Sequence, residues 1–296
     1  MKIPVNPFIS NFLASFLCSF SQIMLQKNVV TGLLFVVGIG LNSPIMLLGA
    51  TLAVLSALFV AQLCQYDSDS INTGLYGFNA ALVGAAVFFF FSANLFSFTL
   101  VILVGAISTV IMNFMLLKFP GFPVFTVPFL VSTWLLLQLS EIQLIETVVI
   151  DSQITPLAVT AFEDFYAVMR GVGQVFFQGY WLSGVVFIAG LLLHSYKVAA
   201  WAIIGSVGGV LVASTFNFPE DIVNQGLYGF NASLSAIALA QRFTKTFSKT
   251  KWPILLGILI SVLLTRTFEL LAIPALTAPF VLASWLIIIF TRVDST

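Results

Sequence analysis

The chain contains one six-residue sequence twice. Gly-Leu-Tyr-Gly-Phe-Asn occupies residues 74–79 and recurs without a change at residues 226–231, which is 152 positions later. At the same offset Gln22 matches Gln174. Identities that keep the same order across both halves of a chain indicate an internal duplication.

A second pattern supports the duplication. Pro-x-x-Thr-x-Pro-Phe spans residues 123–129 and recurs at residues 274–280, an offset of 151. Both patterns therefore appear once in each half. We predict two domains, a first repeat over residues 1–151 and a second repeat over residues 152–296.

The composition places the chain in a membrane. Hydrophobic residues make up 60% of its 296 residues, and charged residues make up only 7%, whereas soluble domains carry about 25% charged residues. This excludes a water-soluble enzyme, a disordered protein and a nucleic-acid binder that needs a basic face. The apolar runs are continuous and do not alternate as barrel strands do, so we predict an all-α polytopic membrane protein.

The loop charges predict an odd number of crossings in each half. The segment 141–164 has five acidic residues and no Lys or Arg, whereas the segment 242–251 has four basic residues. The positive-inside rule places the basic segment in the cytoplasm, and Lys2 is expected on the same side. One of the six apolar segments before residue 141 should then not cross fully; they are about 7–26, 29–48, 49–66, 74–91, 95–117 and 121–139.

Repeats with an odd number of crossings run antiparallel. We therefore predict two inverted repeats, each with about five transmembrane helices and one half-spanning segment. Inverted repeats commonly place the substrate path at their interface, near the midplane of the membrane. The expected pore lies at that interface.

Two glutamines occupy matched positions inside apolar segments. Gln22 and Gln174 each carry a primary amide that must find a hydrogen-bond partner in hydrocarbon. The amide either bonds to another helix or faces a wet path. Because the two residues are repeat mates, we favour a role in the pore.

Two threonines lie between paired prolines. Thr126 and Thr277 each follow one proline by three residues and precede another by two. Proline removes a backbone donor and frees an upstream carbonyl, which predicts a broken or irregular helix. Such a segment offers carbonyl and hydroxyl oxygens to a ligand with N–H donors. The alternative is a hydroxyl that bonds to its own preceding turn.

Aromatic and aliphatic pairs follow the six-residue repeat. Phe78 and Leu82 are four residues apart, as are Phe230 and Leu234, so each pair shares a helix face. The Gly-x-x-Gly spacing before each Phe allows close backbone approach. One face from each half would form a flat slot for a planar solute, and simple packing is the alternative.

The remaining polar residues do not suggest an enzyme. The sequence lacks paired carboxylates, a nucleophile elbow, a phosphate loop and an HExxH motif. Neither a cofactor nor a metal site is predicted, and the single His194 forms no His pair. Arg266 and Glu269, three residues apart, are expected to form a local ion pair.

The two duplicated motifs together resemble the urea transporter family, particularly its bacterial members. The resemblance spans nearly the whole chain and includes the segments around Gln22 and Gln174. The residues before the first motif proline are Phe122 and Ile273, where leucine is usual. The resemblance implies passive, channel-like transport of urea by a homotrimer with a separate pore in each protomer.

The resemblance also implies the roles of the site residues. Threonines line the central constriction, aromatic slots lie on either side of it, and glutamines with the following aliphatic residues lie at the pore mouths. These positions are Thr126 and Thr277; Phe78, Leu82, Phe230 and Leu234; and Gln22, Ile23, Gln174 and Val175.

Three alternatives remain open at this point. The first is an ion-coupled secondary transporter of a small neutral amide, for which Glu269 is the one plausible intramembrane carboxylate. The second is a water or ammonia channel, and the third is a scaffold in which the motifs only pack helices. We expect a cell inner membrane location, with both termini in the cytoplasm.

Overall fold

The computed structural model describes residues 7–141, 162–243 and 251–293. The chain divides into two compact units, Met1–Ile150 and Asp151–Thr296. Lys2, most of the acidic segment 141–164 and the interior of the basic segment 242–251 lie outside the described residues.

The two units contain the same helices in the same order. The described residues form fourteen α-helices and no strand, which confirms the predicted all-α class. The first unit contains α1 (Pro7–Ser21), α2 (Val29–Asn42), α3 (Pro44–Leu63), α4 (Ser68–Asn72), α5 (Phe78–Phe90), α6 (Leu95–Lys118) and α7 (Val127–Glu141). The second contains α8 (Glu163–Gly173), α9 (Trp181–His194), α10 (Tyr196–Thr215), α11 (Glu220–Asn224), α12 (Gly229–Arg242), α13 (Lys251–Leu270) and α14 (Ala278–Val293).

Helix lengths fit a multi-pass membrane protein. Helices α3, α6, α10 and α13 have 20 to 24 residues and are long and apolar enough to cross a membrane, since about 20 apolar residues span the hydrocarbon core. Two helix pairs, α1 with α2 and α8 with α9, are each bent by 76° at a short break. Within the described residues this gives four to six spans, and the inverted arrangement with five crossings per repeat remains a prediction.

The break between the second and third helices differs from the sequence interpretation. The predicted boundary between segments 29–48 and 49–66 is wrong, because helix α2 ends at Asn42 and α3 begins at Pro44. The Ser43 side chain accepts the backbone N–H of Met46 at 3.4 Å. A serine cap followed by proline at the first helical position starts a helix without requiring a charged or polar loop.

A short helix forms the centre of each unit. Helix α5 is buried continuously over residues 78–88 and packs against α1, α3, α6 and α7. Helix α12 is buried over residues 229–240 and packs against α8, α10, α13 and α14. At 1.5 Å per residue, a helix of 13 or 14 residues is only about 20 Å long, so each central helix is shorter than the hydrocarbon core.

The turns before the central helices require glycine. Gly74 has φ +76°, and a Cβ atom there would lie 2.3 Å from the backbone nitrogen of Ser19. Gly226 has φ +78°, and its Cβ would lie 2.3 Å from the backbone nitrogen of Gly171. Both the left-handed conformation and the close approach exclude a side chain. The Gly-x-x-Gly spacing predicted the close approach.

Two other glycines, Gly32 and Gly184, lie 152 positions apart and pack closely against a neighbouring helix. A Cβ on Gly32 or on Gly184 would lie 1.9 Å from a backbone carbonyl oxygen of the preceding helix. We expect Gly32→Ala and Gly184→Ala each to lower the free energy of unfolding by about 1–3 kcal/mol through overpacking. Thermal unfolding of the detergent-purified protein measures this loss.

Gly179→Ala is the matched control, because its Cβ would lie no closer than 3.8 Å, to Nε2 of Gln174. An unfolding temperature of Gly32→Ala equal to that of Gly179→Ala would contradict the close packing of α1 on α2.

Candidate functional site

The predicted aromatic and aliphatic pairs lie on the central helices. Phe78 is the first residue of α5, and Leu82 lies one turn later; both are buried. Phe230 is the second residue of α12, and Leu234 lies one turn later; both are also buried. Each pair therefore shares one helix face within its own unit, at the buried N-terminal end of the central helix.

Both Pro-x-x-Thr segments have irregular backbone, as predicted. Helix α6 ends at Lys118 and α7 begins at Val127, and helix α13 ends at Leu270 before α14 begins at Ala278. The residue before each threonine has a positive φ, +50° at Phe125 and +46° at Leu276. Such values are uncommon for residues other than glycine and expose backbone groups that a helix would have satisfied.

Each threonine begins the helix that follows it. Thr126 and Thr277 are both buried. The carbonyl oxygen of Thr126 accepts the N–H of Leu130 at 3.0 Å, and that of Thr277 accepts the N–H of Val281 at 3.1 Å. The threonines therefore lie where the irregular segment becomes helix.

One asparagine joins the irregular segment of the first unit to its central helix. Asn79 is fully buried in α5. Its Nδ2 donates to the carbonyl of Phe125 at 3.4 Å, and its Oδ1 accepts the N–H of Phe129 at 3.1 Å. The amide thus satisfies one acceptor before Thr126 and one donor after it.

The second unit repeats this arrangement. Asn231 is fully buried in α12. Its Nδ2 donates to the carbonyl of Leu276 at 3.1 Å, and its Oδ1 accepts the N–H of Phe280 at 3.2 Å. We call each of these two-bond arrangements an asparagine clamp.

Sequence reasoning did not assign these asparagines to the site. Asn79 and Asn231 were visible as the last residue of the six-residue repeat. Their partners lie 46 and 45 residues away, in the other duplicated motif. The signal was that one duplicated motif ended in an amide side chain, while the other was predicted to have irregular backbone, whose carbonyl and N–H groups need partners.

The predicted glutamines bond to the chain itself. Gln22 is buried, and its Nε2 donates to the carbonyl of Thr73 at 2.9 Å. Gln174 is half-buried, and its Nε2 donates to the carbonyl of Gln225 at 3.1 Å. Each amide therefore links the break in a bent helix pair to the turn after a short helix. This is a bond between two parts of the chain, the first of the two alternatives for these glutamines. A pore role for either glutamine remains a prediction.

The aliphatic residues after the glutamines are buried in single 3-10 turns. Ile23 lies in the turn Gln22–Met24, and Val175 lies in the turn Gln174–Phe176. Each turn ends at a residue with left-handed backbone, φ +59° at Leu25 and +60° at Phe177. These turns produce the 76° bends.

The short helix beside Gln22 carries a capping carboxylate. Asp67 accepts the N–H of Ser70 at 2.8 Å through Oδ2 and caps α4. Hydrogen bonds from the side chain and the backbone of Ser70 lower the pKa of Asp67, because they favour the charged carboxylate. The cap supports α4, whose C-terminal turn presents the carbonyl that binds Gln22.

Two further hydroxyls lie about two helical turns after the threonines. Thr133 in α7 and Ser284 in α14 lie seven residues after Thr126 and Thr277 respectively. Both are buried, and neither hydroxyl has a hydrogen-bond partner in the described part of the chain. Seven residues are close to two helical turns, so each hydroxyl lies on the same side of its helix as the threonine.

The tyrosines of the repeat have different partners in the two units. The Tyr76 hydroxyl donates to Oδ1 of Asn113 at 2.9 Å. The Tyr228 hydroxyl donates to Glu269, which also pairs with Arg266. The predicted ion pair is confirmed, and it holds the carboxylate that ion coupling would require.

The asparagine clamps generate a prediction. We expect Asn79→Ala and Asn231→Ala each to lower the free energy of unfolding by about 1–3 kcal/mol, because a buried carbonyl and a buried N–H lose their partner. Thermal unfolding is the measurement, and exposed Asn72 supplies the control variant Asn72→Ala. Unfolding temperatures of the clamp variants equal to that of the control would show that the clamps do not stabilise the irregular segments.

Comparison with known proteins matches this architecture to one family. The model of the family described as urea transporter matches residues 13–292. The chain is 26% identical to urea transporter 1 of Ovis aries over 92% of this chain and 75% of that protein. It is 28% identical to urea transporter 1 of Mus musculus and 27% identical to that of Rattus norvegicus, in each case over 97% of this chain and 79% of the relative. The match covers both asparagine clamps and both threonine segments, and the chain belongs to the urea transporter family.

Proposed function

We propose that this member of the urea transporter family carries urea down its concentration gradient, through a pore in each protomer. The observation that carries the proposal is the pair of irregular Pro-x-x-Thr segments, one in each unit, each held by an asparagine clamp. Irregular backbone at membrane depth is tolerated where it lines a watery cavity or is buried in protein. An irregular segment that occurs in both units and is held by an asparagine clamp suits a solute path.

The chemistry of urea fits such a path. Urea is small, planar and uncharged, with four N–H donors and one carbonyl acceptor. Carbonyl and hydroxyl oxygens at Thr126 and Thr277 match the donors along its edges, and aromatic rings match its faces. Conduction requires several weak sites rather than one tight site, and a row of neutral oxygens supplies such sites.

We assign the site residues to three zones of this path. Thr126 and Thr277 line the constriction. The slots on either side consist of Phe78 with Leu82 and Phe230 with Leu234. The pore mouths are lined by residues at the bends of the helix pairs, which are Gln22, Ile23, Gln174 and Val175.

The expected path is passive because its residues are uncharged. None of the ten assigned side chains is ionisable, so neither proton nor sodium coupling has an obvious carrier among them. The carboxylate of Glu269 is already paired with Arg266 and bonded to Tyr228. Ion-coupled transport is therefore not favoured. Membership of the urea transporter family does not favour a water or ammonia channel, and it points to a transporter rather than an enzyme.

We further propose the assembly and its placement in the cell. The protein forms a homotrimer in a cell inner membrane, with two inverted repeats and the pore at their interface. Both termini lie in the cytoplasm, on the side of the basic segment 242–251. These proposals rest on family resemblance and the positive-inside rule.

Removal of the two threonine hydroxyls tests the constriction. We expect Thr126→Val/Thr277→Val to slow urea efflux from proteoliposomes about tenfold, since two hydrogen bonds of about 0.5–1.5 kcal/mol each are lost. The control is Thr99→Val/Thr215→Val, which removes two exposed hydroxyls that bond to the carbonyls of their own helices. Gradient-driven, saturable flux in the wild type, above that of empty liposomes, is the reference.

Three results would count against this proposal. Folded wild-type protein that carries no urea faster than empty liposomes would refute the function. Unchanged flux in Thr126→Val/Thr277→Val, or an equal loss in the control, would refute the constriction alone.

We propose that the hydroxyls of Thr133 and Ser284 extend the same path. Thr133→Val/Ser284→Ala should lower urea flux about threefold, because each hydroxyl offers the solute a transient hydrogen bond two turns beyond a threonine. The control is Ser108→Ala, which removes a buried hydroxyl that is bonded to the Gly105 carbonyl at 2.9 Å. Thr133→Ser should retain wild-type flux, and an equal effect of Ser108→Ala would contradict the assignment.

A further inference from the structure

A groove opens on the second unit between helices α10 and α13. Its volume is about 600 Å³. The lining residues carry positive charge, aromatic rings and aliphatic side chains; they include Tyr196, Lys197, Trp201, Ile204, Lys251 and Leu255. None of these residues belongs to the proposed urea path.

The positive charge lies at one end of the groove. Lys197 is the second residue of α10, and Lys251 is the first residue of α13. Since the first turns of both helices line one groove, the two helices begin at the same end of it. Both lysines are exposed, so two ammonium groups are available at that end.

The lysines have no acidic partner in the described part of the chain. The ion pair there joins Arg266 to Glu269. Nζ of Lys197 lies 6.0 Å from the centroid of the neighbouring Tyr196 ring. An anionic group from outside the protein would therefore neutralise charges that the described residues leave uncompensated.

The groove becomes apolar away from the lysines. Ile204 lies seven residues after Lys197, about 10 Å along the helix, and Leu255 lies four residues after Lys251, about 6 Å along. Half-buried Trp201 lies four residues after Lys197, also about 6 Å along its helix. Trp and Tyr with Lys are typical of the membrane–water interface, and aliphatic side chains below them suit an acyl chain.

The first unit does not repeat this surface. At the offset of 152, Lys197 matches Ile45 and Trp201 matches Gly49. A Cβ on Gly49 would lie 2.4 Å from the carbonyl oxygen of Gly84, so that position packs helix on helix. The lysines and the indole are therefore not required by the duplicated architecture.

We propose that this groove is a binding site for one anionic phospholipid. The headgroup phosphate lies between Lys197 and Lys251, and one acyl chain runs along Trp201, Ile204 and Leu255. Net negative charge on the lipid distinguishes it from a zwitterionic lipid, whose choline or ethanolamine group would meet the two lysines unfavourably. Basic residues near the membrane surface attract anionic lipids in this way.

The test is native mass spectrometry of the purified full chain with added phosphatidylglycerol or phosphatidylcholine. We expect wild-type protein to retain one phosphatidylglycerol per chain in preference to phosphatidylcholine. Lys197→Gln/Lys251→Gln should weaken that retention about tenfold, and Lys197→Arg/Lys251→Arg should preserve it. The arginine variant also shows that a loss in the glutamine variant follows from charge and not from unfolding.

The control variant is Lys27→Gln/Lys118→Gln, which removes two other exposed lysines and the same net charge. An equal loss of phosphatidylglycerol in this control would overturn the proposal, since general charge attraction would explain it. Equal retention of phosphatidylcholine by the wild type would also overturn it. A third result would overturn the proposal: Lys197→Gln/Lys251→Gln changes the oligomeric mass but retains the lipid. The groove would then be a contact between protein chains.

Discussion

In each unit, the hydrogen bonds of one buried asparagine stabilise the irregular Pro-x-x-Thr segment, and the proposed path depends on that segment. Backbone that leaves the helix inside a membrane has donors and acceptors that lipid cannot satisfy. Asn79 supplies an N–H to the carbonyl before Thr126 and an oxygen to the N–H just after it. Asn231 does the same around Thr277. Without such a partner, the irregular segment would carry buried unsatisfied groups at a cost of about 1–3 kcal/mol each.

The short central helix places this asparagine. Helix α5 is buried on every side, so neighbouring residues along it contact different elements. Phe78 and Leu82 present one face, whereas Asn79, about 100° further round, reaches the irregular segment. The glycine turn before the helix allows it to begin deep in the unit, because Gly74 approaches the α1 backbone where no side chain would fit. The duplicated Gly-Leu-Tyr-Gly-Phe-Asn sequence thus combines a turn, a slot residue and a clamp.

The two halves diverge where these constraints end. The clamps keep the same geometry, but the neighbouring partner of the asparagine is the sulfur of Met112 in one unit and the hydroxyl of Thr265 in the other. Tyr76 bonds to a neutral amide, whereas Tyr228 bonds to the charged pair Arg266–Glu269. The lysine groove is likewise confined to the second unit. Both units have kept the asparagine clamp on the irregular backbone, whereas the side chains around it differ.

Much of this architecture follows from the sequence alone. Continuous apolar runs determine the all-α membrane class and paired prolines predict the irregular segments, because both are patterns within short stretches of chain. Identities at a fixed offset reveal the repeat, because duplication keeps residue types in the same order in both halves. The predicted break between α2 and α3 was too late in the chain. The break lies at Ser43-Pro44, where a serine cap and a proline start the helix without a polar loop that would mark it. The clamps required the tertiary structure. Asn79 and Phe125 are 46 residues apart, and only the packing of α5 beside α7 decides that one amide binds both the carbonyl of Phe125 and the N–H of Phe129.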